Sequence, residues 1–94
     1  MPRIRTHPGE VLKEEFLVPL GLSATKLAEE IGVPPNRLTE IIRQRRDMSA
    51  DTAIRLGRRF GTTAQFWLNL QNARDLSQAE ATHDYSRVKT AEVA

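Results

Sequence analysis

Residues 24–43, ATKLAEEIGVPPNRLTEIIR, decide how this 94-residue chain folds. They read as two short helices joined by a tight turn. Leu27 and Ile31 stand one helical turn apart and share a face, with the small Ala28 beside them. Gly32 can take the left-handed conformation that ends a helix, and Val33 plugs the turn. Pro34 and Pro35 open the second helix, where a first-turn N–H would have no partner anyway. Leu38, Ile41 and Ile42 give that helix its buried side.

This is the pattern of a helix-turn-helix. Two helices that cross steeply need a small residue at the contact, here Ala28, and a turn residue with positive φ, here Gly32. Leu27, Ile31, Val33, Leu38 and Ile41 tie the pair to a common core. The alternative is an αα-hairpin with no role at DNA. The polar side of the second helix argues against it, because Asn36, Arg37, Thr39, Glu40 and Arg43 have the composition of a reading surface. Asn pairs bidentately with adenine, Arg with guanine, and Glu accepts from cytosine N4. Asn36 and Arg37 fall in the first turn, the part of such a helix that enters the major groove. Base reading is therefore expected first of Asn36 and Arg37, then of Thr39 and Glu40. For Glu40 an ion pair within the helix, to Arg37 or Arg43 three residues away on either side, is an equal reading.

The chain length suits one small domain. It has no cysteine, so a disulfide framework and a thiolate metal site are both excluded, which fits a reducing cytoplasm. No apolar run approaches a membrane span, and no secretory signal opens the chain. The formal net charge is only +2, but its placement is uneven. Residues 37–59 hold seven arginines against Glu40, Asp47 and Asp51. Positive charge gathered around the second helix suits a phosphate-binding stripe.

Outward from the motif, Arg3 and Arg5 make the N-terminus basic, either a frayed end or an arm that reaches a phosphate. HPGE at 7–10 opens a first helix with an apolar stripe through Val11, Leu12 and Phe16, closed by Pro19 and Gly21. His7 and His83 are the only histidines, too few and too far apart for a metal site. Ser23 caps the next helix. A DNA phosphate at that helix N-terminus would meet Ser23, Thr25 and Lys26; the plainer reading of Lys26 is an exposed lysine opposing the helix dipole by a few tenths of a kcal/mol. Residues 44–48 form a loop, and Arg43, Arg45 and Arg46 are placed to hold the backbone beside the bases. Ser49 caps a fourth helix with Ala53, Ile54, Leu56 and Phe60 inward and Arg55, Arg58 and Arg59 outward.

Thr63 caps a fifth helix. Phe66, Trp67, Leu70 and Ala73 form a wide apolar face, more than a small domain can cover. Trp67, Leu70 and Ala73 are the expected dimer seam, with Phe66 mostly core. The competing reading makes all four core and gives dimerisation to the tail. Residues 1–76 are expected to form the DNA-binding domain. Residues 77–94 should fade from helix into a flexible, partly disordered extension, or fold on a partner.

With five helices placed, the chain resembles the HigA (VapI-like) antitoxins, within the XRE-type, lambda-repressor-like DNA-binding proteins. HPGEVLKEEF, the helix-turn-helix, SADTAIRLGRRFGT and FWLNLQ carry the resemblance, over residues 7–76. One departure is Arg74, where that family leads one to expect an aromatic, usually Tyr. The resemblance implies an all-α, five-helix lambda-repressor-like fold. It also implies an antitoxin of a type II toxin–antitoxin system, which neutralises a HigB-type, RelE-like mRNA endonuclease and represses its own operon as a dimer on a palindromic double-stranded DNA operator. A stand-alone XRE-type regulator without a toxin is the alternative. An enzyme is not expected, and neither a cofactor nor a metal. There is no Cys nucleophile, no Ser–His–Asp set at credible spacing, no phosphate-cradling glycine loop and no carboxylate pair in an apolar setting.

Overall fold

The computed structural model describes residues 3–92, and helix is the regular structure found there. Pro8–Val11, Leu12–Leu17 and Val18–Leu20 run on as one helix, α1 (residues 8–20), whose middle is wound as π-helix. There the Val18 N–H donates to the Lys13 carbonyl, five residues back. Pro19 follows at once and has no N–H for the Glu15 carbonyl, so the wider winding and the proline lie together. Gly21, at φ +61°, ends α1. Then come α2 (Ala24–Ile31), α3 (Pro35–Ile42), α4 (Ala50–Phe60) and α5 (Ala64–Thr82). The boundary expected at 76/77 falls inside α5, which runs to Thr82.

Serine and threonine side chains start three of these helices. Ser23 Oγ accepts from the Lys26 N–H at 3.0 Å, Ser49 Oγ from the Thr52 N–H at 3.3 Å, and Thr63 Oγ1 from the Phe66 N–H at 3.0 Å. Gly32 takes φ +75° after α2, and the Val33 N–H then reaches back to the Ala28 carbonyl at 3.0 Å. That turn sets the angle between α2 and α3.

The core is built from Leu12 and Leu17 of α1, Leu27, Ala28 and Ile31 of α2, Leu38 and Ile41 of α3, Ala53 and Leu56 of α4, and Trp67 of α5, with Val33 and Met48 from the loops. Phe16 lies 4.8 Å from Phe60 and 5.1 Å from Trp67, ring centre to ring centre. The start of α1 sits directly on the last turn of α3: a methyl at Gly9 would overlap the Ile41 carbonyl oxygen.

Two expected burials are corrected. Ile54 is 50% exposed, because the inward side of α4 is drawn by Thr52, Ala53, Leu56 and Gly57. Trp67 is fully buried while Phe66 is 37% exposed. The residues that α5 buries are Trp67, Gln71 and Ser77, not the Phe66, Leu70, Ala73 row. Trp67 packs on Phe16 and donates through Nε1 to Thr62 Oγ1 at 2.8 Å. It has no surface left to offer a second chain, so it leaves the expected dimer seam; Leu70 and Ala73 remain half-buried.

Candidate nucleic-acid interface

Helix α3 buries Leu38 and Ile41 completely. On the opposite side Asn36, Glu40 and Arg43 follow at four- and three-residue steps, with Thr39 beside them, so these four share an outward stripe. Asn36 and Arg43 are exposed; Thr39 and Glu40 are half-buried. Thr39 Oγ1 donates to the Asn36 carbonyl at 3.3 Å, which steadies the first turn. Among the described residues Glu40 pairs with neither Arg37 nor Arg43, and its carboxylate is left to an outside donor.

Arg37 lies on the flank of this stripe. Its guanidinium turns toward α4, where Nη1 donates to Asp51 Oδ2 at 2.7 Å. Asp51 also takes the Arg55 Nε at 3.0 Å, and Arg55 Nη1 donates to the Ile31 carbonyl at 2.8 Å. The chain of contacts ties α3, α4 and the C-terminal end of α2 together. Arg55 also places a cation where the α2 dipole is negative. The hydrogen bond from Arg55, then the charges of Arg55 and Arg37, hold the Asp51 carboxyl below the usual carboxylate range, although partial desolvation opposes them. Arg59 Nε reaches Glu30 Oε1 at 3.0 Å. Of the three α4 arginines expected to face solvent, Arg55 and Arg59 therefore brace the motif from behind. The spacing of Asp51 and Arg55, four residues apart on one helix, was the available signal; their reach to α2 and α3 had none.

The phosphate candidates surround the stripe. Arg43, Arg45 and Arg46 are exposed and make no ion pair among the described residues. Gln44 holds φ +62°, and the Arg45 N–H donates back to the Glu40 carbonyl at 2.8 Å, so the backbone turns sharply as α3 ends. At the α2 N-terminus Ser23, Thr25 and Lys26 are exposed, and Lys26 Nζ lies 3.9 Å from Glu29 in a loose surface pair. The loop is fixed from below by Gln71, which sequence reasoning missed. Gln71 Oε1 accepts from the Met48 N–H at 2.7 Å, and Nε2 donates to Asp75 at 2.9 Å and Asp47 at 3.3 Å. Among the described residues no group of three or more His, Cys, Asp or Glu side chains is placed to hold a metal ion, and no helix is long and apolar enough to cross a membrane.

A helix with an outward polar stripe, preceded by a short helix and a glycine turn, falls within the match to the family described as helix-turn-helix, over residues 12–67. The chain belongs to the helix-turn-helix family. Within it, the chain stands among HigA and VapI-like proteins. It is 56% identical over 80 residues to virulence-associated protein I of Dichelobacter nodosus, covering 85% of this chain and 72% of that one. The structure of antitoxin GraA in complex with its operator superposes at a TM-score of 0.91, with 42% identity over 100% of this chain and 97% of that one. The antitoxin HigA of Pseudomonas aeruginosa, solved with the higBA promoter, gives a TM-score of 0.80 and 40% identity over 93% of this chain and 100% of that one.

Proposed function

We propose that this helix-turn-helix protein is the antitoxin of a type II toxin–antitoxin pair. It works in the cytoplasm, represses its own operon as a homodimer on a palindromic operator, and neutralises a HigB-type, RelE-like mRNA endonuclease. The observation that carries the DNA half is the outward stripe of α3, framed by Arg43, Arg45 and Arg46, which make no ion pair among the described residues, in a chain that superposes on an antitoxin solved with its operator. The same likeness supports the toxin half.

In this reading Asn36, Thr39 and Glu40 contact base edges. Arg37 joins them only by swinging its guanidinium off Asp51, or by offering the nitrogens that Asp51 leaves free. Ser23, Thr25 and Lys26 receive one phosphate at the α2 N-terminus, and Arg43, Arg45 and Arg46 receive others along the adjoining backbone. Asn36→Ala should weaken operator binding by about 1–3 kcal/mol and relax the preference at one base pair. Arg45→Ala and Arg46→Ala should each lower the slope of log affinity against log salt by about one unit, with base preference kept. Titration of the DNA upstream of the gene against an unrelated duplex checks both; equal loss on the two duplexes for Asn36→Ala removes it from base reading. Co-expression with the neighbouring reading frame, followed by pull-down, tests the toxin. A chain that binds its operator and captures no such partner is a stand-alone regulator.

A further inference from the structure

The basic N-terminus is not left free. The Arg5 N–H donates to Ser77 Oγ at 2.8 Å, Ser77 Oγ donates to the Arg74 carbonyl at 2.9 Å, and Arg74 Nη1 donates back to the Arg5 carbonyl at 3.1 Å. This ring of three bonds pins the main chain of the arm to α5. Arg74, at the position where the resemblance leads one to expect an aromatic, is what closes it. The bonds use only the backbone of Arg5, so the guanidiniums of Arg3 and Arg5 stay exposed.

Where the arm lies follows from its neighbours. It leads into His7, which caps α1, and the next turn of α1 rests on the Ile41 carbonyl at the end of α3. The arm's partner Arg74 lies one turn after Gln71, which holds the loop after α3 through Asp47 at 3.3 Å and the Met48 N–H at 2.7 Å. The arm thus begins where the reading helix ends, beside the segment that carries Arg43, Arg45 and Arg46. Its surface is a cleft of about 530 Å³ lined by Arg3, Arg5 and Thr6. An adjoining cleft of about 360 Å³ adds one carboxylate, Glu80. Neither arginine makes an ion pair among the described residues. Two guanidinium forks and a hydroxyl on a tethered backbone suit phosphate oxygens, since Arg donates in pairs and the tether removes much of the ordering cost.

We propose that Arg3 and Arg5 form a second DNA-backbone site, outside the helix-turn-helix, that grips the duplex beyond the bases read by α3. This rests on the DNA-binding reading above. The test is the double variant Arg3→Gln, Arg5→Gln, with operator and unrelated duplex titrated between about 50 and 200 mM salt. The expected result is a log–log slope lower by about two units. Affinity for both duplexes should fall by the same factor, with unchanged base preference and an unchanged melting temperature, because the main-chain bonds to Ser77 and Arg74 persist. An unchanged slope overturns the site. So does an unchanged slope accompanied by an altered oligomeric state, which would assign the arm to a contact between copies. If the wild-type chain shows no salt-dependent DNA binding, the broader reading falls as well. If Arg45→Ala and Arg46→Ala lower the slope and the arm variant does not, only the arm proposal falls.

Discussion

Gly9 has no room for a side chain, because the Ile41 carbonyl oxygen occupies the place of its Cβ. Gly9→Ala must push α1 off the end of α3, a strain of about 1–3 kcal/mol, so the melting temperature should drop by roughly 4–8 °C for each kcal/mol in a domain of this size. An unchanged melting temperature would show that α1 can shift freely there. Its neighbour His7 is 4% exposed and accepts the Gly9 N–H on Nδ1 at 2.9 Å. Burial, and then the charge of Arg74, push its pKa below the ordinary 6.5, while Asp47 and Asp75 pull the other way. The folded state therefore favours neutral His7, and the unfolded chain takes up its proton first as pH falls. The contribution is complete above about pH 6.5 and drains away as pH falls toward the lowered folded value. His7→Asn keeps a capping acceptor and cannot titrate; denaturant midpoints from pH 7 to 5 should fall less for it than for the wild type, and parallel curves would refute the assignment. HPGE was legible as a helix start. Neither the fit of Gly9 nor the burial of His7 was, since both depend on which carbonyl and which charges α3 and α5 bring close.

Helices α2 and α3 were legible almost residue by residue, because an amphipathic pair with a glycine turn writes its packing into one short stretch. Helix α5 was not. Its apolar residues suggested the row Phe66, Leu70, Ala73, yet the chain buries Trp67, Gln71 and Ser77. Two of those three are polar, and they turn inward where each accepts from a backbone N–H: Gln71 from Met48, Ser77 from Arg5. Hydrophobic spacing carries no record of such partners. Gln71→Ala would strand the buried Met48 N–H and free the loop that presents Arg45 and Arg46. The expected loss is about 1–3 kcal/mol of stability, with faster hydrogen exchange at the Met48 amide than at the α2 amides. Uniform exchange across the chain would mean that Gln71 supports the whole core rather than this loop. The brace of Asp51 and Arg55 was hidden for the same reason: local spacing showed an intrahelical pair and not its reach to Arg37 and Ile31.

The five-helix class was legible from the motif outward, and the operator-bound neighbour confirms it at a TM-score of 0.91. What a single chain could not express is how two copies meet. One reading helix contacts only a few base pairs, too few to select an operator in a genome. Two copies on a two-fold axis place two reading helices about 34 Å apart along one face of the duplex. With Trp67 withdrawn into the core, the apolar surface left on α5 is Phe66, which is 37% exposed, half-buried Leu70 and Ala73, and Leu76, which is 63% exposed. Leu76 lends little to the core, so Leu76→Glu should leave the melting temperature of the fold close to that of the wild type at low concentration. It should also give a monomer by sedimentation, with operator affinity reduced far more than affinity for a single half-site. The competing seam, the segment after α5, is tested by truncation after Thr82, which spares the arm's anchor at Ser77. A chain ending at Thr82 should still sediment as a dimer; a folded monomer from that truncation, together with a dimeric Leu76→Glu variant, would move the seam from the helix to the tail.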